Sequence, residues 1–185
     1  MLKFNECTLL KLDKTFALSQ VEENQILQDW IGSHADISDF EQQSLNLYQG
    51  ILKRHVHDWN EVELRQHFIG PILTLVNFSN PKFTMFAERS FSGVVDDIEL
   101  SGKPDGMIAS GFREPEKPYF CFQEYNAYQH EIYGCYVVGD IWHFMVLHGK
   151  TYSISGSYAA TRDDIVDIFI VLKRLKQIII DLIEK

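Results

Sequence analysis

An aspartate follows a proline in GKPDGMIASG (102–111), and a glutamate closes the apolar run in PYFCFQEYN (118–126). Asp105 and Glu124 stand nineteen residues apart, room for two adjacent strands and the turn between them. Carboxylates at neighbouring strand ends are hard oxygen donors, and with water and a substrate phosphate they complete the shell of Mg²⁺ or Mn²⁺. The pair is therefore a candidate site for a divalent cation. Period-two alternation puts Phe120, Phe122 and Glu124 on one face, and Tyr119, Cys121, Gln123 and Tyr125 on the other. A carboxylate ending an apolar face calls for a partner, which a cation or a basic side chain supplies. PDG is equally a common turn tripeptide, with Pro setting φ and Gly taking the bend. A chain with 26 acids also makes one such pair ordinary.

The elements that must position these acids are legible in outline. Ser19 with Glu22 forms a capping-box pattern that predicts a helix over about 20–31. Ser38 with Glu41 predicts a second, carrying Phe40, Leu45, Leu47, Tyr48, Ile51 and Leu52 at helical spacing. Asn60 with Glu63 predicts a third through WNEVELRQHFIGPILTLVNF, kinked or restarted near Gly70 because Pro71 lacks an N–H. From residue 82 the pattern turns to short β-branched and aromatic runs: KFTMFAERSF, VVDDIELSG, PDGMIA, PYFCFQEY, IYGCYVVG, IWHFMVLHG and TYSISGSY. The last two join at a tight turn, His148-Gly149-Lys150. A final helix is expected from Thr161 and Asp164, with acids in its first turn and Lys173, Arg174 and Lys176 later. Helices, a block of mostly antiparallel strands and a closing helix imply a mixed α/β fold, most economically one sheet with helices packed on it.

With 185 residues, 45% hydrophobic and 23% charged, the chain fits one domain. Within it, 1–58 reads as an N-terminal helical region, 59–160 as the core and 161–185 as the C-terminal helix. A net charge of −9 excludes a broadly basic nucleic-acid binder, so any phosphate contact must be local. Lys53, Arg54, Arg65, Arg89 and Lys103 are the cations for such contacts, although solvated surface is their ordinary role. Cys7, Cys121 and Cys135 make no CxxC pair and read as core residues in a reducing compartment. MLKFNECTLLKLDK is too charged for a leader, and no apolar run reaches membrane length. A cytoplasmic protein without membrane contact is expected. His55 and His57 are poorly spaced for one helical face and read as capping or surface residues. Trp30, Trp59 and Trp142 read as core. No P-loop, dinucleotide fingerprint or nucleophile elbow is present.

From NEVELRQHFIGPIL through ERSFSGVVDDIELSGKPDGMIASG to PYFCFQEY, the chain resembles the PD-(D/E)XK superfamily of restriction-endonuclease-like nucleases, over residues 56 to 147. The resemblance implies a core of helix, three strands, helix and strand. It matches Asp105 to the PD aspartate, Glu124 to the D/E position and Glu63, better than Glu61, to the core-helix glutamate. It further implies Mg²⁺ or Mn²⁺ on Asp105 and Glu124, hydrolysis of a phosphodiester, and DNA or RNA as partner. The chain departs from the pattern twice. Asn126 occupies the position of the motif lysine, and NAYQHEIYG leaves only a short link where the superfamily has a crossover helix. A parallel connection normally takes a dozen or more residues, so strands 118–125 and 132–139 are expected to pair as an antiparallel hairpin. The missing lysine and the acidic net charge favour the competing class, a non-catalytic module that binds nucleic acid or protein on the nuclease scaffold.

Overall fold

The strand-rich block builds two sheets, not one. The computed structural model describes residues 2–122 and 131–184, with the backbone alone at 120–122. In chain order the elements are β1 (Leu2–Lys3), a 3₁₀ turn (Phe4–Glu6), α1 (Leu9–Phe16), β2 (Ser19–Gln20), α2 (Gln25–Ile31) and α3 (Asp39–His55). Next come α4 (Glu61–Leu64), a π-helical turn (Arg65–Ile69), α5 (Gly70–Val76), β3 (Phe83–Phe86), β4 (Phe91–Val95) and β5 (Ile98–Gly102). The chain continues through β6 (Gly106–Ser110), β7 (Pro118–Phe122), β8 (Ile132–Val138), β9 (Ile141–His148), β10 (Thr151–Ile154), β11 (Tyr158–Ala159) and α6 (Asp164–Glu184). The class is mixed α/β with mostly antiparallel pairing. Among the described residues, no helix is long and apolar enough to cross a membrane.

These elements form two compact units, the first comprising Met1–Gln28, Ser79–Tyr136 and Phe144–Ser155, the second Asp29–Phe78, Val137–His143 and Gly156–Lys185. The larger sheet runs β2-β10-β9-β8-β7-β6-β3, and a smaller one, within the first unit, runs β1-β5-β4. VVDDIELSG, expected as a single strand, is a hairpin. Asp96 and Asp97 both take positive φ (47° and 64°), as a two-residue type I′ turn requires. Val95 then faces Ile98, and Lys150 pairs with Asp96. The smaller sheet buries Val95 and Leu100 against Leu2, Leu12 and Phe16.

The N-terminal segment departs most from expectation. Ser19 does not cap a helix: its N–H donates to the Lys150 carbonyl, and β2 adds a parallel strand to β10. Edge pairing there satisfies more backbone than a cap could, and α2 starts five residues later. Asn24 Oδ1 accepts from the Leu27 N–H instead. Helix α1 went unread; Thr8 caps it by accepting from Lys11 N, with no acid at the third position to advertise the start.

In the second unit the other expected starts hold. Ser38–Glu41 and Asn60–Glu63 each close a full capping box. The third helix is interrupted as Pro71 demands: Gly70 N–H reaches back five residues to the Arg65 carbonyl, and α5 begins with Pro in its first turn. Helix α6 begins at Asp164, not Thr161, because the Thr161 hydroxyl donates to Asp140. Asp164 Oδ2 accepts from the Ala159 N–H. One face of α6 buries Ile165, Ile168, Phe169, Leu172, Leu175 and Ile179.

Helices α3 and α6 are pinned by a half-sheltered ion pair, Lys173 Nζ to Glu41 Oε1 at 2.8 Å. Burial pushes the Glu41 carboxyl up, but hydrogen bonds from Lys173 and Ser38 outweigh it and hold the pKa below the ordinary 4.5. A depressed folded pKa contributes stability that is complete above the unfolded value and fades as pH falls through the folded one. Urea melts from about pH 6 to about pH 3 should therefore lose midpoint, and Glu41→Gln should flatten that slope. An unchanged slope in Glu41→Gln would assign the acid sensitivity to other carboxylates.

Candidate functional site

Asp105 lies half-buried between buried Pro104 and buried Gly106, immediately ahead of β6. That strand is buried on both faces, with Met107, Ile108 and Ala109 each at 0% exposure, as befits the middle of a sheet. On one side it pairs antiparallel with β3, Phe86 opposite Met107. On the other it pairs antiparallel with β7, Gly106 opposite Phe122. The start of β6 therefore lies beside the end of β7, the strand that precedes Glu124 in sequence. Glu124 and Asn126 themselves lie outside the described residues.

The hairpin expected next is not formed. β7 and β8 pair in parallel, Phe120 with Tyr133, Cys121 with Gly134 and Phe122 with Cys135. The length of the link permits this. Ten Cα steps separate Phe122 from Ile132, about 33 Å of chain at roughly 3.3 Å each. A return along the five residues of β7 needs only about 17 Å. A crossover helix is not required to close that distance.

Asp105 lines a cavity of about 870 Å³ built wholly within the first unit. Its polar lining includes Lys3, Asn5, Lys103 and Tyr136. Lys3 arrives because β1 lies parallel on β5, Leu2 beside Leu100 and Lys3 beside Ser101. Strand alternation buries Leu2 and turns Lys3 out. The next residue, Phe4, packs so closely on Gly102 that a Cβ there would fall 2.2 Å from Phe4 Cδ2 and 2.5 Å from Phe4 Cβ. The first glycine of GKPDG is thus a seat for Phe4. Gly102→Ala should displace the Phe4 ring from the cavity wall and cost about 1–3 kcal/mol, read as a lower urea midpoint. A wild-type midpoint would show that the segment yields freely.

Glu63 belongs to the second unit, and its carboxylate is already engaged. Oε2 accepts from Asn60 N–H at 2.9 Å, while Asn60 Oδ1 accepts from Glu63 N–H at 3.0 Å. Glu61 is exposed in the same first turn. Of the cations, Lys103 is at the cavity, Arg89 is paired with Glu114 at 3.6 Å, and Lys53 donates to Gln49 Oε1. His55 is exposed and stacks on Trp59, which also meets His67, each at 5.5 Å between centroids. Trp30 and Trp142 are core residues, whereas Trp59 is half-buried. Cys135 is buried and Cys7 half-buried at the cavity. Lys3, Asn5 and Tyr136 were missed by sequence reasoning, since pairing between residues about a hundred apart leaves no local signal.

Asp105 suits a hard cation by donor type. Among the described residues, however, no three His, Cys, Asp or Glu side chains gather as a metal-binding group. No model of a known protein family matches the sequence, and no curated protein is similar to it.

Proposed function

We propose that this chain is a PD-(D/E)XK-type nuclease of reduced activity on a restriction-endonuclease-like core. Mg²⁺ or Mn²⁺ would be held by Asp105 and Glu124. The observation that carries the reading is the parallel seat of β8 on β7, following the antiparallel run β3-β6-β7. A meander of three strands with a fourth returning parallel is the order the superfamily's core calls for, and Asp105 opens its second strand. The metal, when bound, would polarise the phosphoryl oxygen and acidify a water. Asp105 holds its carboxylate at the cavity wall, and Lys103 and Lys3 supply positive charge for phosphate there. Glu63 serves as auxiliary acid only by leaving its cap. DNA or RNA is the partner in this reading, in a cytoplasmic setting.

The non-catalytic binding module is favoured by Asn126 at the lysine position and by the net charge of −9. Calorimetric titration with Mg²⁺ and Mn²⁺ tests the metal site directly. Binding by the wild type and its loss in Asp105→Ala are expected. Equal binding by both proteins removes Asp105 from the site.

A further inference from the structure

The cavity beside Asp105 has more than an acidic wall. Phe4, Leu9, Leu12, Met145 and Ile154 supply an apolar lining, while Lys3 and Lys103, both exposed, supply two ammonium groups. Neither the division of labour nor the size suits a duplex. Duplex backbones are met by cationic surfaces that need no apolar recess, and this chain carries a net charge of −9. A volume of about 870 Å³ lies in the range of small-molecule sites, roughly 300–1,000 Å³. Bases are recognised out of the stack, against apolar and aromatic side chains, when nucleic acid is single-stranded.

We infer that the cavity receives the terminal nucleotide of a single strand, its base on the apolar wall around Phe4 and its phosphate between Lys3 and Lys103. This deepens the nuclease reading and rests on it for the meaning of Asp105, since a phosphate held there lies at the wall that Asp105 shares. A strand end enters most simply, because an interior nucleotide must be turned out with chain leading away on both sides. The substrate class is therefore single-stranded ends.

The test is binding without metal, in EDTA. Deoxyadenosine 5′-monophosphate, deoxyribose 5-phosphate and inorganic phosphate are titrated calorimetrically into the full chain. A linear single-stranded octamer and a ligated single-stranded circle of the same sequence then compete for a fluorescent oligonucleotide. The nucleotide should bind at least tenfold more tightly than either base-free phosphate, and the linear strand should compete at least tenfold better than the circle. Lys3→Ala with Lys103→Ala, two exposed positions whose loss leaves the core intact, should weaken nucleotide binding at least tenfold. Equal affinity for nucleotide and inorganic phosphate, equal competition by the circle, or unchanged binding by the double variant each overturns the inference. The nuclease reading fails separately. Nucleotide binding with no metal-dependent cleavage upholds the pocket and removes the nuclease, whereas Asp105-dependent cleavage without nucleotide binding does the reverse.

Discussion

Cleavage of plasmid, single-stranded DNA and RNA with Mn²⁺ or Mg²⁺ is expected to be slow, and Asp105→Ala should abolish what there is. An amide at position 126 can hydrogen-bond a water but offers no positive charge to a developing oxyanion. A preorganised donor of that kind is worth roughly 10²- to 10³-fold in rate. Lys103 and Lys3, at the cavity lining, are the charges nearest in kind, yet they belong to the link between β5 and β6 and to β1, not to the end of β7. Asn126→Lys alone should recover little, because a catalytic ammonium works only when its neighbours fix its position. A discontinuous gel assay with an Asp105→Ala control reads both points. Brisk cleavage by the unmodified chain, lost in Asp105→Ala, would mean that another residue supplies the charge. Cleavage that survives Asp105→Ala would move the activity elsewhere.

Trp30→Ala should be among the most damaging substitutions to the second unit. Trp30 is 1% exposed, and its Nε1 donates to the Val171 carbonyl on α6 at 2.9 Å. Truncating a buried tryptophan costs about 3–5 kcal/mol through lost transfer energy and the cavity left behind. For a chain of this size each kcal/mol lowers Tm by about 2–4 °C, so a fall on the order of 10 °C is expected. Trp30→Phe separates packing from hydrogen bonding: it keeps most of the volume but strips the donor from Val171, at about 1–3 kcal/mol. Thermal denaturation of the two variants side by side checks the order. A Phe variant as unstable as the Ala variant would put the weight on the hydrogen bond.

Local grammar was readable where both halves of a signal sit within one turn and no distant partner competes for them. Ser38 with Glu41 and Asn60 with Glu63 marked true helix starts, and Pro71 marked a true interruption. Ser19 with Glu22 carried the same signature and misled, because the competing partner was a strand edge at Lys150, which no window around residue 19 contains. Asp96-Asp97 looked like the polar middle of a strand, since a turn of this type usually announces itself with glycine or asparagine. The parallel pairing of β7 and β8 went against the link-length rule, which describes what is common and not what the chain can span. Asp105 was singled out by its motif. The cavity around it was not, because six of its fourteen lining residues come from residues 3–12.

The two short parallel strands near the start of the chain have a consequence for synthesis. Ser19 pairs with Thr151, a residue translated 132 positions later, and Leu2 pairs with Leu100, 98 positions later. At about 5–20 residues per second, the segment around Ser19 waits roughly 7–26 s after it is made before its partner exists. Until Val95 and Leu100 are made, Leu12 and Phe16 have only Leu2, Phe4, Cys7 and Leu18 of the smaller core beside them in the chain. The packing of this segment is therefore completed only after residues 95–100 and 151–152 have been made.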